Sequence, residues 1–353
     1  MITIGVDAHK RLHVALAINE AGQELGEWRG PNSAAGWRSI AQWASSLGSP
    51  RQWGVEGAWS YGRNLAQHLV AVGETVFDIN PRWTAGGRRR ARKPGKTDRL
   101  DARAVALLVR QEAPTLPEVH AEDDTAVLDL LTNEREGAVA EATRLRNQIH
   151  ALLMQADPDY HSYLPNLKSR SALDALEAYA LPGGSPLQAQ RAAAVRRLAA
   201  RLRLALSQAA QLAEEIEELA RRRFSPLTNL CGVNLITAGT LAGILGPGDR
   251  FATDAQLAAY AGVAPLEASS AGLVRHRLNR GGNRRLNSVL YRIVLTQAHH
   301  SPAAKAYIKR RLSEGKTRRE AHRALRRFVV RAIWRLWHEC QTAQAREAVR
   351  EAA

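Results

Sequence analysis

The chain has 353 residues, 45% hydrophobic and 24% charged, which is enough apolar chain for a buried core and excludes a wholly disordered protein. Lys+Arg 50 against Asp+Glu 34 leaves a formal net charge of +16, so the expected partner is a polyanion, nucleic acid ahead of an anionic membrane surface. No run of ~18 apolar residues is present, the early Asp7 argues against a signal peptide, and Cys231 and Cys340 offer neither a disulfide framework nor a zinc pattern, which leaves a reducing cytoplasm as the expected compartment.

The charge divides the chain. Residues 1–120 carry net +5, residues 121–224 net −2 and residues 225–353 net +13, which suggests three domains with different tasks. The first reads as α/β. Ile2 to Val6 is a short apolar run ending at Asp7, His13 to Ile18 a second and Gln23 to Trp28 a third. Ser33 is placed to cap a helix running to Leu47. Gln52 to Val55 reads as a strand ending at Glu56, Tyr61 to Val72 as a helix, and Thr75 to Ile79 as a strand stopped by Asn80-Pro81. A basic loop from Arg82 to Lys96 precedes a helix that Thr97 caps and that begins at Asp98. Three consecutive strands followed by alternating helix and strand predict a mixed sheet flanked by helices.

Residues 121–224 read as helical. Apolar or small residues recur at 3/4 spacing from Leu128 through Leu131, Ala138, Ala142, Leu145, Ile149 and Leu152, and again from Val195 to Leu219. A coiled coil or long helical hairpin follows, either folded on itself or acting as a dimerisation stalk. Pro158, Pro165, Pro182 and Gly183-Gly184 force the turn between the two series. Residues 225–353 read as helical and basic. The stretch from Leu230 to Leu245 reads as a helix-hairpin-helix turning at Gly232-Val233, whose backbone N–H groups suit a phosphate. Trp334 and Trp337 read as core residues.

Four carboxylates stand where side chains converge. Asp7 and Glu56 end strands, and Asp98 and Asp101 lie three apart on one helix face. Phosphodiester chemistry commonly uses cations held by such groups, and this arrangement is the one expected of an RNase H-like fold. Each residue also has a plain structural alternative. Asp98 favours the positive end of its helix, Asp101 can pair on the surface with Arg99 or Arg103, and His9 and His13 read as structural or helper residues. Asp78 is expected to point away from the group.

The strings IGVDAHK, GVEG, Asn80-Pro81 and KTDRLDA resemble the N-terminal domain of the DEDD transposases of the IS110 insertion-sequence family, and YAGVAPLEASSAGLVRHRLNRGGNRRLN resembles that family's transposase domain. The resemblance covers essentially the whole chain, with the central segment its least motif-like part. It implies a RuvC-like first domain whose four acidic positions, Asp7, Glu56, Asp98 and Asp101, bind Mg2+. It also implies a serine nucleophile between Gly262-Val263-Ala264-Pro265 and Arg280-Gly281-Gly282-Asn283, where Ser269 and Ser270 stand. The family pattern has Gly directly after the nucleophile. Here that position is Ala271, with Gly272 one step later, so both serines stay open and Ser270 is preferred.

The reading that follows is a site-specific recombinase of an insertion sequence acting through a serine–phosphodiester intermediate. The resemblance implies partners as well: double-stranded donor and target DNA, a structured noncoding guide RNA, a homodimer or homotetramer, and a place beside the bacterial nucleoid rather than at a membrane. A hydrolytic nuclease of the Holliday-junction resolvase class, using the same carboxylates, is the alternative. Arg275, Arg277, Arg280, Arg284 and Arg285 around Gly281-Gly282 suggest backbone phosphate contact. Arg88, Arg89, Arg90, Arg92, Lys93 and Lys96 are expected to lead nucleic acid toward the carboxylates.

Overall fold

The computed structural model describes residues 1–81, 83–84, 97–164, 166–167, 169–181, 185–248, 250–267, 276–277, 279 and 281–351. The chain forms two compact units, residues 1–123 with 247–252, and residues 124–246 with 253–353.

The first unit is built on a five-stranded sheet. Strands β1 (Ile2–Ala8), β2 (Leu12–Ile18), β3 (Glu24–Pro31), β4 (Arg51–Glu56) and β5 (Thr75–Ile79) lie in the order β3-β2-β1-β4-β5. The first three form an antiparallel meander, and β4 and β5 add in parallel beside β1. This mixed order is consistent with an RNase H-like domain. Helices α1 (Ala34–Ser46) and α2 (Arg63–Ala71) connect the strands. Ser33 caps α1 by accepting from the Gly36 N–H at 3.3 Å.

Alternation sorts the strand residues onto two faces. Ile4, Val6, Trp53, Val55 and Val76 pack with Ile40 and Ala44 of α1 and with Leu65, Ala66 and Leu69 of α2. The opposite face takes helix α3 (Asp98–Glu112), whose Ala102 and Ala106 meet Val14, Leu16 and Ile18 while Val105 and Val109 meet Phe77 and Ile79. Two glycines set how close α3 can lie. Gly5 and Gly54 are register partners on β1 and β4. A Cβ on Gly5 would fall 2.1 Å from the Ala102 carbonyl, and one on Gly54 would fall 2.4 Å from Val109. Only a bare patch at the centre of the sheet admits the helix backbone.

The second unit is helical. Helix α4 (Asp124–Ala156) runs up, a short α5 (Arg170–Glu177) lies between, and α6 (Pro186–Arg223) returns. Ion pairs fix the direction: Arg223 meets Asp124 at 2.9 Å at one end and Arg201 meets Glu141 at 3.3 Å along the length. Arg191 donates to the Gln155 carbonyl at the other end. The pair is therefore antiparallel and intramolecular. Its seam joins Ala142, Leu145, Ile149 and Leu153 to Val195, Ala199, Leu202 and Ala205. The expected apolar series lies one residue off in places. Thr132, Leu153, Ala199 and Ala220 are buried where Leu131, Leu152, Leu198 and Leu219 were expected, because the buried stripe of a straight helix drifts against a fixed heptad count.

Beyond α6 the chain makes a 3-10 turn (Ser225–Asn229), then α7 (Leu235–Leu245), α8 (Asp254–Tyr260), a two-residue ladder of β6 (Leu266–Glu267) with β7 (His276–Arg277), α9 (Arg284–His300), α10 (Pro302–Ser313) and α11 (Arg318–Glu351). The first helix of the expected helix-hairpin-helix is thus a 3-10 turn. Trp337 is buried and stacks on Phe224 with ring centroids 5.4 Å apart.

A candidate metal-binding carboxylate site

Two residues past the glycine pair, each strand delivers an acid on the same face. Asp7 follows Gly5 on β1 and Glu56 follows Gly54 on β4, so both side chains rise on the α3 side of the sheet. Helix α3 brings the other two. Thr97 is extended and its hydroxyl accepts from the Leu100 N–H at 3.3 Å, which fixes the first turn. Since Thr97 performs the capping, Asp98 is not needed for it. Asp101 is not a surface partner either: it is 3% exposed, while Arg99 pairs with Glu24 and Glu27, and Arg103 with Glu24.

The acids come together unevenly. Asp7, His9 and Asp98 each place a ligand atom within 4.8 Å of the others. His9 Nε2 is 3.1 Å from Asp7 Oδ2 and 3.6 Å from Asp98 Oδ1. Asp101 lies close enough to act on the charge of Asp7. Asp101 and Glu56 stand outside the tight group, and the Glu56 Oε1 accepts from the Thr84 hydroxyl at 3.4 Å. His9 was set aside in the sequence as a helper. Its position two residues after a strand-end Asp was the available signal, but the tight turn that folds it back became visible only in three dimensions. That turn is closed by the His9 N–H donating to the Leu12 carbonyl and by the Asn32 amide donating to the carbonyls of His9 and Tyr61. His13 faces the other way, with Ala15 and Ala17, and its burial holds the imidazole below its ordinary pKa.

Burial pushes the Asp7 carboxyl above the usual carboxylate range. The neighbouring Asp101 and Asp98 push it the same way, and His9 opposes them by charge and hydrogen bond. Asp7 is thus a desolvated carboxyl with like charge beside it. Hard carboxylate oxygens around one buried acid are a donor set suited to Mg2+, with the imidazole as an additional nitrogen donor or as an orienting group.

Asp78 is on the opposite face, beside Val76. Its Oδ1 accepts from the Ala58 N–H at 3.0 Å, and its Oδ2 lies 3.6 Å from Arg250. Arg250 belongs to the short segment 247–252 that joins this unit from far along the chain, and it packs over the Trp59 and Phe251 rings. No periodicity or motif marks this strap in the sequence.

Ser269, Ser270, Arg275 and Arg280 of the second unit lie outside the described residues, as do Arg88, Arg89, Arg90, Arg92, Lys93 and Lys96 of the first. What frames the serine segment is described. Gly262 and Gly282 touch backbone to backbone, a Cβ on Gly282 falling 2.3 Å from the Gly262 nitrogen, and the Asn283 N–H donates to the Tyr260 carbonyl at 2.7 Å. The backbone of Arg277 sits in β7. Arg284 is exposed at the start of α9. Arg285 is occupied within the protein: it reaches Asp129 at 2.6 Å, Glu136 at 3.1 Å and the Thr132 hydroxyl at 2.5 Å. No helix among the described residues is long and apolar enough to cross a membrane.

Comparison with known proteins matches the two halves separately. Residues 4–158 match the IS110 DEDD transposase profile, and residues 224–309 that of the transposase IS116/IS110/IS902 family. The chain is 30% identical over 282 residues to the uncharacterized protein of insertion element IS110 from Streptomyces coelicolor, covering 68% of this chain and 70% of that one. It is 28% identical over 383 residues to its counterpart in insertion element IS900 of Mycobacterium paratuberculosis, with 94% of each covered. The transposase for insertion sequence element IS1328 of Yersinia enterocolitica is 25% identical over 218 residues, 59% of each chain.

Proposed function

The chain belongs to the IS110 family of transposases, and from that premise we propose that it cuts and rejoins double-stranded DNA by serine transesterification at a Mg2+-dependent site. The observation that carries this reading is the convergence of Asp7, His9 and Asp98, with buried Asp101 acting on the charge of Asp7, over a sheet of RNase H-like order. Asp7, Glu56, Asp98 and Asp101 are the proposed holders of the cation, and His9 orients Asp7 through their 3.1 Å contact. When bound, Mg2+ neutralises the charge that builds on the attacked phosphate.

Ser270, with Ser269 as the alternative, supplies the nucleophile. Its Oγ–phosphorus bond forms as a phosphorus–oxygen bond of the strand breaks. The serine proton leaves, and the released strand oxygen takes one up. Attack on the phosphoserine by another strand end reverses the exchange, so rejoining needs no external energy. A structured RNA from the element guides both DNAs, and copies of the chain assemble as a dimer or tetramer in the cytoplasm, on the nucleoid. Coiled-coil packing of α4 with α6 and a phosphate-facing helix-hairpin-helix role for the turn before α7 belong to the same proposal. So do backbone contacts by Arg88, Arg89, Arg90, Arg92, Lys93, Lys96, Arg275, Arg277, Arg280 and Arg284.

The test is covalent trapping. Protein co-purified with its native flanking RNA is mixed with element-end DNA and Mg2+, then run on a denaturing gel. A protein–DNA adduct lost in both Ser270→Ala and Asp7→Asn is the expected result. An adduct that survives Ser270→Ala but not Ser269→Ala moves the role to Ser269. Cut DNA without any adduct overturns the serine step and returns the site to hydrolytic cleavage.

A further inference from the structure

A second charged site lies wholly within the helical unit. Between α4, the turn before α7, and α9 there is a cleft of about 580 Å³, within the ~300–1,000 Å³ range of ligand pockets. Its walls include Arg135 of α4, Arg292 of α9 and the first turn of α7. Glu136, the only carboxylate among the described residues of its wall, is already held by Arg285 at 3.1 Å. Among the described residues, Arg135 and Arg292 have no carboxylate within salt-bridge distance, and the Arg135 Nε is buried without an acceptor. The cleft therefore carries two guanidinium charges that no carboxylate among the described residues neutralises.

The remaining wall points to the same kind of ligand. Asn234 caps α7, accepting from the Thr237 N–H at 2.8 Å, while the N–H groups of Leu235 and Ile236 have no acceptor within the helix. Val233, Ile236 and Ile293 add an apolar floor, suited to a sugar rather than to a free small anion. The positive turn and the two arginines converge on one space.

We infer that this cleft binds the phosphodiester backbone of a nucleic acid, with Arg135 and Arg292 as its anchoring cations. The inference rests on the transposase reading for its class of partner but not on the carboxylate site or the serine.

The test uses the full chain and compares binding to a duplex DNA of about 30 base pairs and a duplex RNA of the same length across a salt series. The Arg135→Gln/Arg292→Gln variant is expected to lose roughly tenfold in affinity and to reduce the salt slope by about 1 to 2. Loss with DNA alone, RNA alone or both supports the cleft and names its occupant. An unchanged slope with both overturns it. In the wild type, duplex should shield Arg135 and Arg292 from an arginine-specific reagent read by mass spectrometry, and labelling at the unbound rate overturns the inference even where the double variant folds poorly. Asp7→Asn separates the two proposals: it should keep the wild-type salt slope while losing the adduct.

Discussion

Asp78 and Arg250 meet at 3.6 Å in the first unit although they lie far apart in the chain. The pair is well shielded, with side-chain exposures of 17% and 7%. The same Asp78 receives the Ala58 N–H, two residues beyond Glu56. The strap thus braces the loop that follows one of the four acids.

Removing that brace should be costly. Arg250→Ala leaves a buried carboxylate without its cation, a change of about 3 kcal/mol, measurable by urea denaturation. Asp78 is already held above the ordinary carboxylate value, by burial first, with Arg250 and the Ala58 N–H opposing. A raised folded-state pKa means that the folded state binds the proton more tightly. The contribution is full below 3.8 and disappears as pH rises through the raised value. Loss of Arg250 raises that value further. The deficit of Arg250→Ala should therefore shrink as pH is lowered toward 4, and Asp78→Asn should restore part of the stability at neutral pH. A deficit independent of pH would contradict the pairing.

The Asp7 cluster should respond to cations in the opposite sense from an ordinary surface acid. Asp7→Asn removes a buried charge crowded by Asp98 and Asp101, so the cation-free variant should unfold at a higher temperature than wild type. Adding Mg2+ should stabilise the wild type by ~2.7 kcal/mol at a hundredfold excess over Kd, raising its midpoint, and leave Asp7→Asn nearly unmoved. Equal Mg2+ shifts in both proteins would show that the ion binds elsewhere.

Gly5 should be irreplaceable even by alanine. The added methyl would fall 2.1 Å from the Ala102 carbonyl, and backbone cannot step aside as a flexible side chain can. Gly5→Ala is expected to cost about 3 kcal/mol and to weaken the Mg2+ response, because lifting α3 also lifts Asp98 and Asp101. Calorimetry with and without the ion reads both effects, and a wild-type midpoint would refute the close approach.

Arg285 should behave as a structural residue. Its partners Asp129 and Glu136 are 39% and 42% exposed, so solvent screening holds the loss in Arg285→Gln to about 1 kcal/mol. The salt slope of duplex binding should stay at the wild-type value. A lower slope would return this residue to the nucleic-acid surface.

The residues that announce themselves in the sequence are those whose role is local. Thr97 caps because a hydroxyl before an acidic first turn does so in any context, and Asp7 stands out as a charge closing an apolar strand. Alternation then places Glu56 without a structure. Relations across long sequence separations left no such trace. Arg250 lies in a short loop with no periodicity, and its partner reads as one more strand-end acid. His9 enters the group only because Asn32, on the far side of β3, holds its loop. Arg285 reads as part of a basic string until α4 brings Asp129 and Glu136 beside it.

The antiparallel rod has a topological consequence. Asp124 and Arg223 touch at its base, so the chain leaves and re-enters at one point after an excursion of ~50 Å along α4. The first turns of α4 are held by Arg285 at Asp129, Thr132 and Glu136, and beyond them the remainder is a closed loop. Matched whole turns can be inserted into or excised from that outer part of α4 and α6 without shifting the register at the base, so the rod is a ruler whose length can vary independently of the chemistry.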